Sequence, residues 1–193
     1  EPLSCAIHAA RLLDARLGDT AVVFGAGTMG LLNLMVLKKS GLRVAVVDVN
    51  EGRLAKATSL GADVVLKAGP DIRDRVKAAF LGGVDFSIAA YGSEEVNQDA
   101  LDVLNNRGKI CLFASAHPVT PFAVDPNLMH NRETSAVGVV SADRRDHAVA
   151  TDLIATKQID LSPIVDATFP LVEAAAAFER ATSTPSYRVM LHP

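Results

Sequence analysis

Between Thr20 and Phe113, short runs of branched aliphatic residues recur, and each is followed by a stretch of helical texture. Thr20–Phe24 precedes Thr28–Lys39, Arg43–Val47 precedes Glu51–Leu60, and Asp63–Leu66 precedes Asp71–Phe80. Val84–Ala89 precedes Glu94–Leu104, and Lys109–Phe113 closes the series. The runs are continuously apolar and do not alternate polar with apolar residues, which is how strands covered on both faces of a parallel sheet read. Strand–helix alternation at these lengths predicts a doubly wound α/β sheet with right-handed crossovers.

Upstream, the apolar positions Cys5, Ile7, Ala9, Leu12, Leu13 and Ala15 predict an amphipathic helix from Leu3 to Leu17, ended by Gly18-Asp19. Downstream the texture changes. Ser115–Asn131 carries Pro118, Pro121 and Pro126 and reads as a loop, followed by a strand at Thr134–Val140 and a helix at Arg144–Thr156. The tail has another rhythm, with strands at Ile164–Thr168 and Tyr187–Leu191 around a helix at Leu171–Arg180. The expected organisation is a linking helix at residues 1–17, the doubly wound domain at 18–158, and a separate C-terminal segment at 159–193.

The turn after the first strand, Gly25-Ala26-Gly27-Thr28-Met29-Gly30, is a GxGxxG motif. It follows an apolar run, opens a helix, and precedes Asp48 at the end of the second run, which is the context the motif requires. Gly25 permits the tight turn, Gly27 lets backbone approach a pyrophosphate, and Gly30 lets helix and strand pack closely. The helix start then offers N–H groups and partial positive charge to phosphates. A carboxylate at Asp48 can accept from both ribose hydroxyls and repels a 2′-phosphate, favouring NAD over NADP. Arg53 either covers the adenine or offsets the charge of Asp48. The sheet expected around such a turn is a Rossmann sheet of strand order 3-2-1-4-5-6. Two other readings stand beside this one: a glycine-rich turn without ligand whose Asp48 caps a helix, and a methyltransferase, whose usual GxGxG would need glycine where Met29 stands.

Composition narrows the partners. The 193 residues carry 19 Lys+Arg against 22 Asp+Glu, a net charge of −3, so no basic face for nucleic acid is expected. The apolar content of 49% indicates a buried core. Runs such as Ala21–Phe24 and Val44–Val47 fall far short of the roughly 18 residues of a spanning helix, so no membrane partner is expected. Cys5 and Cys111 stand far apart in apolar surroundings, which predicts a cytoplasmic chain without a complete metal cluster. The chain opens on Glu1 and runs directly into a helix, so a preceding segment is expected.

Glu1-Pro2-Leu3-Ser4, His8-Ala9, Gly25–Gly30, Asp48, Arg53 and Leu60-Gly61-Ala62-Asp63 together resemble the zinc-dependent medium-chain alcohol dehydrogenases, with the sorbitol (polyol) and threonine dehydrogenase branch most similar. Lys157–Pro163 and Phe169–Ala174 are similar to that family's C-terminal signature, so the resemblance runs the length of the chain. It implies a two-domain subunit in which a catalytic domain precedes Glu1 and the tail returns to complete it. It also implies NAD as cofactor, zinc in the full-length protein, an alcohol or polyol substrate, and hydride transfer between a secondary alcohol and NAD. By itself the half present is expected to bind NAD and turn nothing over, with no catalytic residue of its own.

Carried over by motif position, the resemblance sets Gly25, Gly27, Thr28, Met29 and Gly30 at the pyrophosphate and Asp48 and Arg53 at the adenosine. Phe113, Ala114 and Ser115 fall near the nicotinamide ribose, and Val139, Val140 and Ser141 near the nicotinamide. Glu1 falls where the family has a late acidic zinc ligand or a partner of the zinc-bound water. Polyol dehydrogenases carry a basic residue where Ser141 stands, and this chain departs from them there. The strand Thr134–Val140 is expected at the sheet edge, pairing subunits into a homodimer or tetramer. Alternatives are a zinc-free quinone or enoyl reductase of the same superfamily, which would prefer NADPH, and an NAD-binding module without catalysis.

Other candidates read as structural. His8 reads as a helix histidine, and His117 and His130 as surface residues without a second ligand at metal spacing. His147, among Asp143, Arg144, Arg145 and Asp146, reads as part of a charged helix face. Cys111 reads as core. Tyr91 and Lys109 lack the four-residue spacing of a Tyr-Lys catalytic pair, and Ser87 stands with them.

Overall fold

The computed structural model describes residues 1–119, 121–183 and 186–193; Thr120, inside the expected loop, lies outside the described residues. The chain forms two compact units, Glu1–Ala150 and Thr151–Pro193, and the divide falls within a helix. No helix among the described residues is long and apolar enough to cross a membrane.

The first unit holds α1 (Pro2–Leu13), β1 (Thr20–Phe24), α2 (Thr28–Lys39), β2 (Arg43–Asp48), α3 (Glu51–Ser59), β3 (Val64–Lys67), α4 (Ile72–Ala79), β4 (Val84–Ala89), α5 (Glu94–Asp102), β5 (Leu104–Leu112), α6 (Pro126–Arg132), β6 (Ser135–Gly138) and the start of α7 (Arg144–Ala155). Its six strands pair in parallel in the order β3-β2-β1-β4-β5-β6, as the apolar runs predict. Val22, Phe24, Ala45, Val47 and Ile110 of the sheet join Ile72 and Val76 of α4 and Ala100 and Leu101 of α5 in one core cluster. On α1 and α2, which pack together, Leu3, Leu13, Leu31, Leu34 and Leu37 are buried. Both faces of the sheet are therefore covered, and its strands lack the polar alternation of a half-exposed sheet for that reason.

The second unit contains the rest of α7, then β7 (Val165–Pro170), α8 (Ala174–Ser183) and β8 (Arg188–His192). β7 and β8 pair in parallel as a separate two-stranded sheet with α8 between them in sequence.

Four expected boundaries are corrected. First, α1 ends at Leu13, a turn before Gly18. Asp14 takes a left-handed conformation (φ 59°), its N–H donates to Ala10 and Arg11 carbonyls, and Lys109 Nζ donates to the Leu13 carbonyl at 2.8 Å. Second, β5 starts at Leu104 instead of Lys109, because Leu104 pairs with Val84; a register shift before Phe86↔Lys109 absorbs the extra residues. Third, the proline-rich loop contains α6. Asp125 caps it by accepting from the Asn127 and Leu128 N–H groups, and Pro126 occupies the first turn, where the missing N–H costs nothing. Fourth, β6 is shorter than Thr134–Val140, ending at Gly138 and leaving Val139 and Val140 to the loop before α7.

Candidate functional site

The turn from β1 into α2 is built on backbone proximity. Gly25 has φ +104°, a region that favours glycine, and its N–H donates to the Val47 carbonyl at 2.8 Å. A Cβ on Gly30 would lie 1.8 Å from the Gly25 carbonyl oxygen, so the first turn of α2 can sit this close only without a side chain. Gly27 is different. Its backbone is extended (φ −73°), and a Cβ there would meet nothing within 4 Å. Nothing within the described residues demands a glycine at 27, and the residue lines a cleft of 480 Å³. Gly27 is the N-cap of α2 and supplies no capping side chain, whereas Asn50 caps α3 and Ser93 caps α5. Thr28, half-buried, is the first residue of that helix.

Asp48 ends β2 on the same cleft, its side chain 5% exposed. Oδ2 accepts the Ala26 N–H at 2.7 Å and Oδ1 accepts the Asn50 N–H at 2.8 Å, so one carboxylate ties the glycine turn to the start of α3. The side chain that caps α3 is Asn50, accepting from the Arg53 N–H at 3.1 Å. Asp48 as a helix cap is therefore set aside. Arg53 Nη1 stands 4.0 Å from Asp48 Oδ2. Tyr91, Gly69 and Ile72 are among the other residues that line the cleft.

A second cavity, of 450 Å³, brings together Met29, Phe113, Ala114, Ser115, Val139, Val140 and Ser141. These are the residues that the resemblance sets at the pyrophosphate and the nicotinamide end, and they converge from α2, the end of β5 and the loop after β6. Cys5 of α1 also lines it, a position that its apolar helical spacing marks only as core. Burial, and then the Glu1 carboxylate accepting from Cys5 Sγ at 3.1 Å, push this thiol up to about 11; burial pushes Cys111 up to about 12.

Glu1 is exposed, with its carboxylate engaged by Cys5. A catalytic zinc takes three protein ligands. Among the described residues no cluster of three candidate ligands includes Glu1, so the donors here do not by themselves fit that metal.

The model of the zinc-binding dehydrogenase family matches residues 28–156. This chain belongs to that family. The resemblance read from the glycine turn, Asp48 and the tail is thereby borne out, and the relatives carry it further. Sorbitol dehydrogenase of Rattus norvegicus is 30% identical over 99% of this chain and 54% of its own length. L-idonate 5-dehydrogenase of Vitis vinifera is 29% identical over 93% of this chain and 50% of its own. Benzyl alcohol dehydrogenase from Acinetobacter calcoaceticus superposes with a TM-score of 0.88 at 23% identity, over 98% of this chain and 54% of that one, a likeness of fold. The chain spans about half the length of the curated relatives it matches.

One cluster in this zinc-binding dehydrogenase chain escapes a residue-by-residue reading. Asp146 is not on a charged outer face: its side chain is 1% exposed. Its Oδ2 stands 2.7 Å from His8 Nδ1 and accepts from Arg11 Nη2 at 2.9 Å and from the Asp143 N–H at 3.0 Å. Asp143 in turn accepts the Asp146 N–H at 2.9 Å and pairs with Arg11 at 2.5 Å, a reciprocal cap at the start of α7. The acidic spacing Asp-x-x-Asp just before a helix is the signal that could have shown it. Ligand atoms of His8, Asp143 and Asp146 lie within 4.8 Å of one another, but the Arg11 guanidinium already supplies the positive charge there.

The Asp146 N–H, and after it Arg11, hold the Asp143 carboxyl well below the usual carboxylate range. A lowered folded-state pKa contributes stability above the unfolded value, about 4, and loses it as pH falls through the folded value. Asp143→Asn is expected to lower Tm near neutral pH, with the difference from the parent shrinking below about pH 4. Thermal unfolding across a pH series checks this.

Proposed function

We propose that this chain is the cofactor-binding half of an NAD-dependent, zinc-type alcohol or polyol dehydrogenase that moves hydride between a secondary alcohol and NAD. The observation that carries the reading is Gly27: the position spares a side chain that the chain itself has ample room for, at the mouth of a helix and beside a carboxylate. A bound pyrophosphate accounts for that space, because its oxygens need direct backbone approach. When bound, NAD would supply the hydride acceptor at its nicotinamide, and zinc, with ligands from beyond this chain, would polarise the alcohol oxygen.

The chain's own residues have distinct tasks in this reading. The start of α2 receives the pyrophosphate, with Thr28 and Met29 alongside. Asp48 retains lone pairs beyond those used by Ala26 and Asn50, and these accept from the ribose hydroxyls. Arg53 lies beside Asp48 and closes over the adenosine. Phe113, Ala114, Ser115, Val139, Val140 and Ser141 enclose the nicotinamide end in a largely apolar cavity that limits water. Residues 159–193 belong in this reading to the catalytic domain. Glu1 joins a zinc site only with ligands from beyond this chain, and the whole protein works in the cytoplasm on a small alcohol or polyol.

Subunits pair through β6, at the open edge of the sheet. The Val139 N–H donates inward to the Leu112 carbonyl, so by strand alternation the Ala136 and Gly138 N–H groups face the open side.

Three substitutions and one control test the proposal. Gly27→Ala is expected to leave stability within about 0.5 kcal/mol while NAD binding, measured by calorimetry, is lost. Gly30→Ala is the control for close packing and is expected to cost about 3 kcal/mol in denaturant unfolding. Normal NAD affinity in Gly27→Ala sinks the pyrophosphate assignment. Asp48→Ser is expected to weaken NAD by about 1.5–3 kcal/mol and to erase the preference over NADP; an NAD affinity equal to the parent's would remove Asp48 from the cofactor. Ala136→Pro is expected to yield a monomer on sedimentation, and a persisting dimer would exclude pairing through β6.

A further inference from the structure

A cap at the start of an exposed helix needs only the two reciprocal bonds between Asp143 and Asp146. This one has more. Asp146 is withdrawn from water and bound to two side chains of another helix, Arg11 and His8 of α1. A buried carboxylate is costly unless its partners are in place, so burying it here ties the register of α7 to α1. His8 Nδ1 stands 2.7 Å from Oδ2, and Arg11 bridges both acids.

Spacing along α1 links this tie to the second cavity. Cys5, His8 and Arg11 recur every three residues and so follow one side of the helix. Cys5 forms part of the cavity wall, while His8 and Arg11 hold Asp146. The remaining wall of interest is the loop joining β6 to α7. Its first residue, Val139, is pinned to β5 by the bond to Leu112, and its last, Asp143, is pinned by Asp146. Between them Ser141 is held at φ 57°, in the left-handed region that a serine seldom adopts. Val139, Val140 and Ser141 line the cavity.

We propose that Asp146 is a positioning residue for the nicotinamide end of the cofactor cleft: by locking Asp143 and α7 to α1, it sets the shape of the loop that walls this cavity. The inference rests on the dinucleotide reading given above and adds to it a residue outside the glycine motif that touches no part of the cofactor. Asp146 acts through the loop, so its removal should disturb only the nicotinamide half.

Two probes separate the halves. NADH reports the surroundings of its dihydronicotinamide through its fluorescence, and ADP-ribose carries the adenosine and pyrophosphate without nicotinamide. With the 193-residue chain, Asp146→Ala is expected to lose more than about half of the NADH fluorescence enhancement, with ADP-ribose affinity unchanged within about twofold, as a loosened supporting contact predicts. Arg11→Met, which removes a partly exposed side chain and leaves the reciprocal cap intact, should move the signal in the same direction, and it decides the matter if Asp146→Ala does not fold. Full enhancement in the folded variants overturns the inference, and so does an ADP-ribose affinity that falls in parallel, the mark of a merely structural role. A parent chain that binds ADP-ribose without enhancing NADH fluorescence overturns it while sparing the adenosine half. A parent chain that binds neither probe overturns the dinucleotide reading and the inference with it.

Discussion

The cleft exists because α2 begins almost against the carbonyl of Gly25. A helix that starts so close to the preceding strand aims its first N–H groups into the crevice beyond the strand ends. Gly30 pays for that approach by having no side chain, and Gly25 by adopting a backbone few other residues tolerate. The neighbouring strands then complete the crevice. β2 delivers Asp48, β4 ends at Ala89 just before Ala90 and Tyr91, and β5 ends just before Phe113. A parallel sheet whose strand order reverses between β1 and β4 opens its crevice at that point. Moving α2 outward by the width of a methyl group would separate all of these parts at once.

In the proposed reading, a binding role and a structural role share the Asp48 carboxylate. Its two backbone bonds make it a clasp between the glycine turn and α3, and they leave it short of water. A carboxylate so held does not need to be ordered when a ligand arrives. Its remaining acceptor capacity is already oriented, which spares part of the entropy that binding otherwise costs.

The continuous strands and the glycine turn were legible because their causes are local in sequence: burial on both faces demands aliphatic runs, and a tight βα turn demands glycine. Most of what escaped depends on distant partners. The end of α1 is set by Lys109, far along the chain, and the start of β5 by pairing with Val84. α6 was hidden because three prolines suggested a loop, although a proline after Asp125 suits a first helical turn. The acids before α7 looked like a solvated face; nothing local says that His8 and Arg11 would be waiting for them. The cavity-lining role of Cys5 was equally invisible, since a small apolar residue on a helix has the same signature whether it faces a core or a pocket.

The two thiols have a practical corollary. Burial keeps both protonated near neutral pH, with Cys5 at about 11 and Cys111 at about 12, and it is the thiolate that reacts with alkylating and disulfide reagents. A single cysteine introduced on the surface would therefore be labelled selectively in the otherwise native chain. Fluorophores or spin labels could thus be attached beside the loop after β6 without first stripping out the natural cysteines.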